Sequence, residues 1–128
     1  GRIRLHDHDR IGGIATSGWR GRSLSLGIAD SVTVLAHNAA AADVAASLIA
    51  NAITISSPAI TRQPAASLVP DSDLKDRLVT VDVGPLSVKE IDHALAAGAC
   101  LARHMFGDGQ IMTAYARLAG RSFIIAGE

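Results

Sequence analysis

Between residues 31 and 53 the chain passes from an alternating β-branched run straight into an alanine-rich one. That switch constrains the fold more than any other feature. Ser31-Val32-Thr33-Val34-Leu35-Ala36 alternates polar and apolar side chains, as a half-buried strand does. His37 and Asn38 turn the chain, Asn38 offers an N-cap, and Ala39 to Ile53 follows as a strong helix by propensity. Alanine buries little area per residue, so such a helix is stable only when it lies very close to its neighbours.

The remaining elements fall around this pair. Arg2 to Asp9 reads as a short half-exposed strand ending in an acidic-histidine turn. Ile11 to Ala15 is a compact apolar run, Thr16 to Arg22 a loop, and Ser23 to Leu26 a strand resuming after it. Residues 55–76 turn to Ser, Pro and Asp, with Pro58, Pro64 and Pro70, and are expected to form a long irregular connection. Arg77 to Val83 is a second good strand. Ser87 and Glu90 have capping-box spacing at the start of a helix running to about Met105, with Val88, Ile91, Leu95, Ala99 and Ala102 as its apolar stripe. Gln110 to Arg117 and Ser122 to Ala126 read as strands joined by a hairpin turn at Leu118 to Arg121. The order β-β-β-α-loop-β-α-β-β predicts an α/β (α+β) domain, a mixed sheet packed by two main helices, over residues 1–128.

Composition removes several function classes. Twelve Lys+Arg balance 12 Asp+Glu, and aromatics make up 3% of the chain, which argues against nucleic acid as a partner. Cys100 is the one cysteine, so an internal disulfide and a thiolate metal cluster are both excluded, and it is expected as a small buried residue. Asp43 and Asn51 interrupt the one candidate apolar stretch, so no membrane span is expected. A cytoplasmic location is expected. A hydrophobic content of 48% at zero net charge points to a surface partly covered by a partner.

Three constellations carry chemistry. Asp43, Ser47 and Asn51 stand one turn apart on one side of the first helix, among Ala, Val, Leu and Ile. That spacing leaves two readings open, a polar stripe facing solvent or an oxygen-ligand site in which a carboxylate and a hydroxyl hold a hard cation such as Mg²⁺. The loop from Ala15 to Ser23 offers small residues whose N–H groups converge on an anion, and Arg20 and Arg22 supply charge for phosphate. The same composition suits a mobile turn, and the Gly-Lys-Thr ending of a phosphate loop is missing. His6-Asp7-His8 has zinc-ligand spacing but no third convergent ligand in view, and reads as a solvated polar turn.

In combination, Gly13-Ile14-Ala15-Thr16-Ser17-Gly18, Ser31 to Ala36 and Ala42-Asp43-Val44-Ala45-Ala46-Ser47 resemble the C-terminal half of ApbE-like proteins, the flavin transferase family. Ser23 to Asp30, Ala50-Asn51-Ala52 and Asp73 to Val81 look closer still to an uncharacterised ApbE-like branch. The resemblance implies a flavin site: such transferases move FMN from FAD onto a Ser or Thr hydroxyl of a target protein with Mg²⁺ assistance. By the same resemblance Asp43 and Ser47 help hold the metal, Ser47 replacing the commoner Thr, while Thr16, Ser17 and Gly18 lie at the flavin nucleotide. Where transferases carry a His-Ile-x-Asp-Pro segment, this chain has Ser23-Leu24-Ser25-Leu26-Gly27. The expectation is a domain contributing part of a flavin-nucleotide and divalent-metal site, with FAD and Mg²⁺ as cofactors. An N-terminal half or another subunit would complete it, in a homo- or hetero-oligomer. Two alternatives remain beside it, a non-catalytic nucleotide- or anion-binding module and a structural assembly domain.

Overall fold

The computed structural model describes residues 11–20 and 24–127. The expected strand at Arg2 to Asp9, the His6-Asp7-His8 turn and Arg22 lie outside the described residues. Strands β1 (Gly13–Ser17) and β2 (Ser31–Ala36) pair antiparallel, and helix α1 (Ala39–Ala52) follows. Then come β3 (Ile60–Pro64), the single-turn helix α2 (Ala65–Leu68), β4 (Leu78–Val83) and α3 (Val88–Gly107). The chain closes with β5 (Thr113–Leu118) and β6 (Arg121–Ala126).

The alternation of β2 sets the layers. Val32, Val34 and Ala36 are fully buried, and α1 packs against β1 and β2 on their side. Asn38 caps α1 as expected, its side-chain oxygen accepting the Ala41 N–H at 2.8 Å. Only two residues separate β2 from α1, so the helix folds back along the sheet and runs parallel to β1. At the start of β1 a Cβ on Gly13 would lie 2.4 Å from Ala39 Cα, which only glycine avoids. The largest fully buried side chains, among them Ile28, Ile49, Ile53 and Leu118, are aliphatic, whereas Phe106 and Phe123 are half-buried around them. Close approach thus replaces bulk, as the alanine-rich helix requires.

An α+β arrangement is present, but both sheets are antiparallel throughout rather than mixed. The four-stranded sheet has the order β1-β2-β5-β6, and β3 and β4 form a separate two-stranded ribbon. The reason lies in the stretch expected to be irregular. After α1 the chain leaves the sheet to build β3 and β4, so no strand–helix–strand crossover places a parallel neighbour beside β2. The prolines flank these short elements instead of forbidding them. Pro64 ends β3 with φ −57° and opens α2.

Other boundaries moved for local reasons. Thr16 and Ser17 belong to β1, not to the loop after it. Leu24 to Gly27 forms no strand, because Ser25 Oγ accepts the Gly27 N–H at 3.2 Å and bends the backbone. Ser87 and Glu90 form the expected capping box of α3, at 2.9 and 3.1 Å. Two members expected inside depart from the pattern: Val88, as the first residue of α3, is 58% exposed, and Cys100, one position past the buried Ala99, faces solvent.

Candidate functional site

The predicted nucleotide loop divides between two sides of the sheet. Successive strand residues point to opposite faces, so Thr16 lies on the face away from α1 and Ser17 on the face toward it. The Thr16 hydroxyl is hydrogen-bonded to that of Thr33 at 3.1 Å across the β1–β2 pair. Gly18 ends the strand where a Cβ would stand 2.5 Å from the Asp30 carbonyl oxygen, so no larger residue fits. Arg20 donates from Nε to Asp30 at 2.9 Å and lies 4.7 Å over the Trp19 ring. The pair is largely exposed, with Arg20 63% accessible, so little free energy holds the guanidinium there. The other Asp30 oxygen accepts the Ala119 N–H at 2.9 Å, which fixes the carboxylate to the β5–β6 turn. Trp19 Nε1 is buried and has no hydrogen-bond partner among the described residues. Buried donors are seldom left unpaired, and an acceptor outside the described residues, such as water or a ligand, would satisfy this one.

The three polar residues of α1 have separated roles. Asp43 is exposed, and its carboxylate takes no hydrogen bond or ion pair among the described residues. Ser47 is half-buried one turn further on. Asn51 is structural: its side-chain oxygen accepts the Leu26 N–H at 3.0 Å and the Ser25 hydroxyl at 3.4 Å. Of the stripe, then, Asp43 and Ser47 remain available to a ligand. Among the described residues no group of three His, Cys, Asp or Glu side chains could hold a metal. One carboxylate and one hydroxyl fill only part of the shell of a hard cation, so phosphate, water or another protein segment would have to supply the rest.

Asn51 belongs to a polar network barely legible along the chain. Thr80, 5% exposed, donates its hydroxyl to the Gly27 carbonyl at 2.6 Å, and its N–H donates to the Ser25 carbonyl at 2.9 Å. Arg62 donates to the Leu26 carbonyl at 2.7 Å and to the Thr54 hydroxyl at 2.8 Å. The network ties the 24–27 segment to the end of α1 and to the β3–β4 ribbon. Its members are scattered along the chain, and the polar Asn51 in an apolar helix was the one local signal of it.

On the other flank of α1, Val44 (58% exposed) and Leu48 (47%) line an open apolar groove of about 430 Å³ with Ala41 and with Met105 of α3. Asp43 and Ser47 do not line it.

A sequence model of a family described as AbpE bacteria matches residues 1–124. The chain belongs to that family. The match takes in Thr16 to Arg20, Asp43, Ser47 and the network around Thr80, so every candidate residue sits within the part shared with other AbpE bacteria proteins. No curated protein and no solved structure matches the chain.

Proposed function

We propose that this AbpE bacteria domain contributes part of a flavin-nucleotide and divalent-metal site. One observation carries the reading: the two sequence segments expected to hold nucleotide and metal fall on elements packed against each other, β1 and α1, running in the same direction. The Trp19 donor next to Gly18 and the Asp43 carboxylate, both without a partner among the described residues, support it, because each is a polar group available to a ligand. The order of motifs along the chain, which resembles that of ApbE-like transferases, supports the choice of ligand. Asp43 and Ser47 would hold Mg²⁺, and Ser17, Gly18 and Arg20 would meet the nucleotide phosphates. Mg²⁺ bound there would neutralise pyrophosphate charge and polarise the bond to be broken. The donor set is incomplete, so the partner is a further protein segment or another subunit.

The test is thermal melting with FAD, with Mg²⁺ and with both, on the chain and on Asp43→Ala. A ligand that binds only the folded state raises the melting temperature. The expected result is a rise that needs both ligands and vanishes in Asp43→Ala. An unchanged metal response in that variant would remove Asp43 from the site. A non-catalytic binding module gives the same shift but no release of AMP from FAD even when the completing segment or subunit is supplied, and an assembly domain gives no shift at all.

A further inference from the structure

We infer that β6 is the docking edge for a second copy of this chain, which would extend the four-stranded sheet across a twofold axis. The hairpin register fixes which backbone groups of β6 are unpaired. Ala119 (φ 49°) and Gly120 (φ 84°) form a two-residue turn that sets Leu118 opposite Arg121, with Ala116 opposite Phe123 and Ala114 opposite Ile125. Hydrogen-bonded and non-bonded pairs alternate in an antiparallel ladder. Phe123 and Ile125 therefore bond to β5, while Ser122, Ile124 and Ala126 turn their N–H and C=O groups outward. Among the described residues, nothing pairs with that edge. The edge also lacks the usual protection: β6 has no proline, no lysine and no bulge. Its one charge, Arg121, is drawn off the edge onto Asp92 of α3 at 2.6 and 3.1 Å.

The strand is complementary to itself. With Ile124 on the axis, Ser122 faces the partner's Ala126 on one side of the sheet, and Phe123 faces the partner's Ile125 on the other. Ile124, now 41% exposed, and the half-buried Phe123 and Ile125 would all lose water contact. The two Arg121 residues would stand about 20 Å apart, beyond the range of screened repulsion.

Helix α3 supplies the second strip of contact and the charge match. It runs alongside β6 in the same direction, with Asp92 at Arg121 and Phe106 nearest Gly127. Asp92 to Phe106 covers about 21 Å of helix and Arg121 to Gly127 about 20 Å of strand, so Ile124 is level with Ala99. Ala96 and Arg103 stand four and eleven positions after Asp92, exposed on the same side of the helix. The twofold sets α3 antiparallel to its copy, with Ala96 near the centre and Arg103 at the partner's Asp92. Arg103 has no ion pair among the described residues. A free peptide would gain the strand pairing but not this helix contact, which is why the occupant is a second copy.

Sedimentation equilibrium of the 128-residue chain tests the inference, together with Ile124→Pro and a cysteine pair made in a Cys100→Ser background. The wild type should have the mass of a dimer. Ile124→Pro, which removes one outward N–H at an edge where proline is tolerated, should be a folded monomer by circular dichroism. Should that variant unfold, the cysteine pair still decides. Cα atoms of a bonded antiparallel pair lie about 5.5 Å apart, so Ile124→Cys should form a disulfide-linked dimer on mild oxidation. Ser122→Cys, about 13 Å from its copy in this register, should not. A monomeric wild type, an Ile124→Pro variant that stays dimeric, or equal cross-linking at both positions would overturn the inference.

Discussion

Gly98 is where the small-residue packing of this fold can be tested most directly. A Cβ at position 98 would lie 2.2 Å from Ile53 Cγ1 and 2.9 Å from its Cδ1. Ile53 is fully buried at the end of α1, and Cγ1 sits too near its backbone to swing clear, so α1 and α3 must part. Overpacking of this kind costs about 1–3 kcal/mol, and the depth of overlap puts the cost near the top of that range. Alanine recovers about 1 kcal/mol through its better helix propensity. Gly98→Ala should therefore lose about 2 kcal/mol net, which for a chain of this length lowers Tm by about 8 °C. Ile53→Ala on its own should cost about 2–5 kcal/mol through lost burial and the cavity left behind. Combined, the two should show a favourable coupling of about 2 kcal/mol, since the shortened side chain makes room for the new Cβ. Urea denaturation of the four members of this cycle is the assay. A neutral or stabilised Gly98→Ala, or additive effects in the double variant, would refute the packing of α1 on α3 through this glycine.

Thr80→Val keeps the shape but removes the hydroxyl donated to the Gly27 carbonyl, leaving a buried acceptor short of a partner. It should cost about 1–3 kcal/mol by denaturation, with faster amide exchange at Leu26, whose N–H is held by Asn51 in the same network. Ala119 holds φ 49° in the β5–β6 turn, and Ala119→Gly should relieve about 1 kcal/mol of left-handed strain while keeping the N–H bond to Asp30, seen as a higher denaturation midpoint. Glu90 has its pKa lowered, chiefly by the Ser87 N–H; desolvation, the next largest influence, opposes this, and the Ser87 and Ser57 hydroxyls each add a lesser lowering. A lowered folded-state value means the stabilisation is present above the ordinary Glu range and is lost as pH falls through the folded pKa. NMR titration should show Glu90 moving only part of the way back toward its ordinary value in Ser87→Ala, which removes the hydroxyl but keeps the Ser87 N–H bond, with the start of α3 loosening in acid.

Elements whose stability is local were legible in the sequence. Asn38, the Ser87–Glu90 box and the alternation of Ser31 to Ala36 each act within a few residues, and each appears where periodicity and capping put it. Relations between distant segments were not legible. β3 is held by pairing to β4, with Ile60 opposite Val83, and nothing between Ile55 and Asp76 distinguishes a strand held by a remote partner from a loop. Cys100 was misplaced because an alanine-rich helix blurs its own apolar stripe: with Ala96 and Ala97 outside and Ala99 and Ala102 inside, composition cannot tell the faces apart. Within the site, Asn51 matched Asp43 and Ser47 in spacing, yet its carboxamide was already engaged by a loop more than twenty residues earlier in the chain.

That engagement bears on what the chain can do by itself. Under the proposed reading, the segment Ser23 to Gly27 takes the place of the histidine-containing stretch of ApbE-like transferases, and the backbone of Leu26 and Gly27 is taken up in internal bonds. The Leu26 N–H goes to Asn51 and its carbonyl to Arg62, while the Gly27 N–H goes to Ser25 and its carbonyl to Thr80. With all four groups engaged internally, Leu26 and Gly27 offer a ligand no backbone donor, and neither side chain carries a titratable group. Available polarity near the proposed site comes instead from Ser17, Trp19 and the loosely held Arg20 on β1 and just after it, and from Asp43 and Ser47 on α1. These groups suit a phosphate or a cation as ligands; among the described residues none is a nucleophile hydrogen-bonded to a base. On this reading the chain's share of the proposed site is binding, and the 128 residues alone should bind FAD with Mg²⁺ without turning it over. Release of AMP from FAD should appear only when a further segment or subunit adds the missing group.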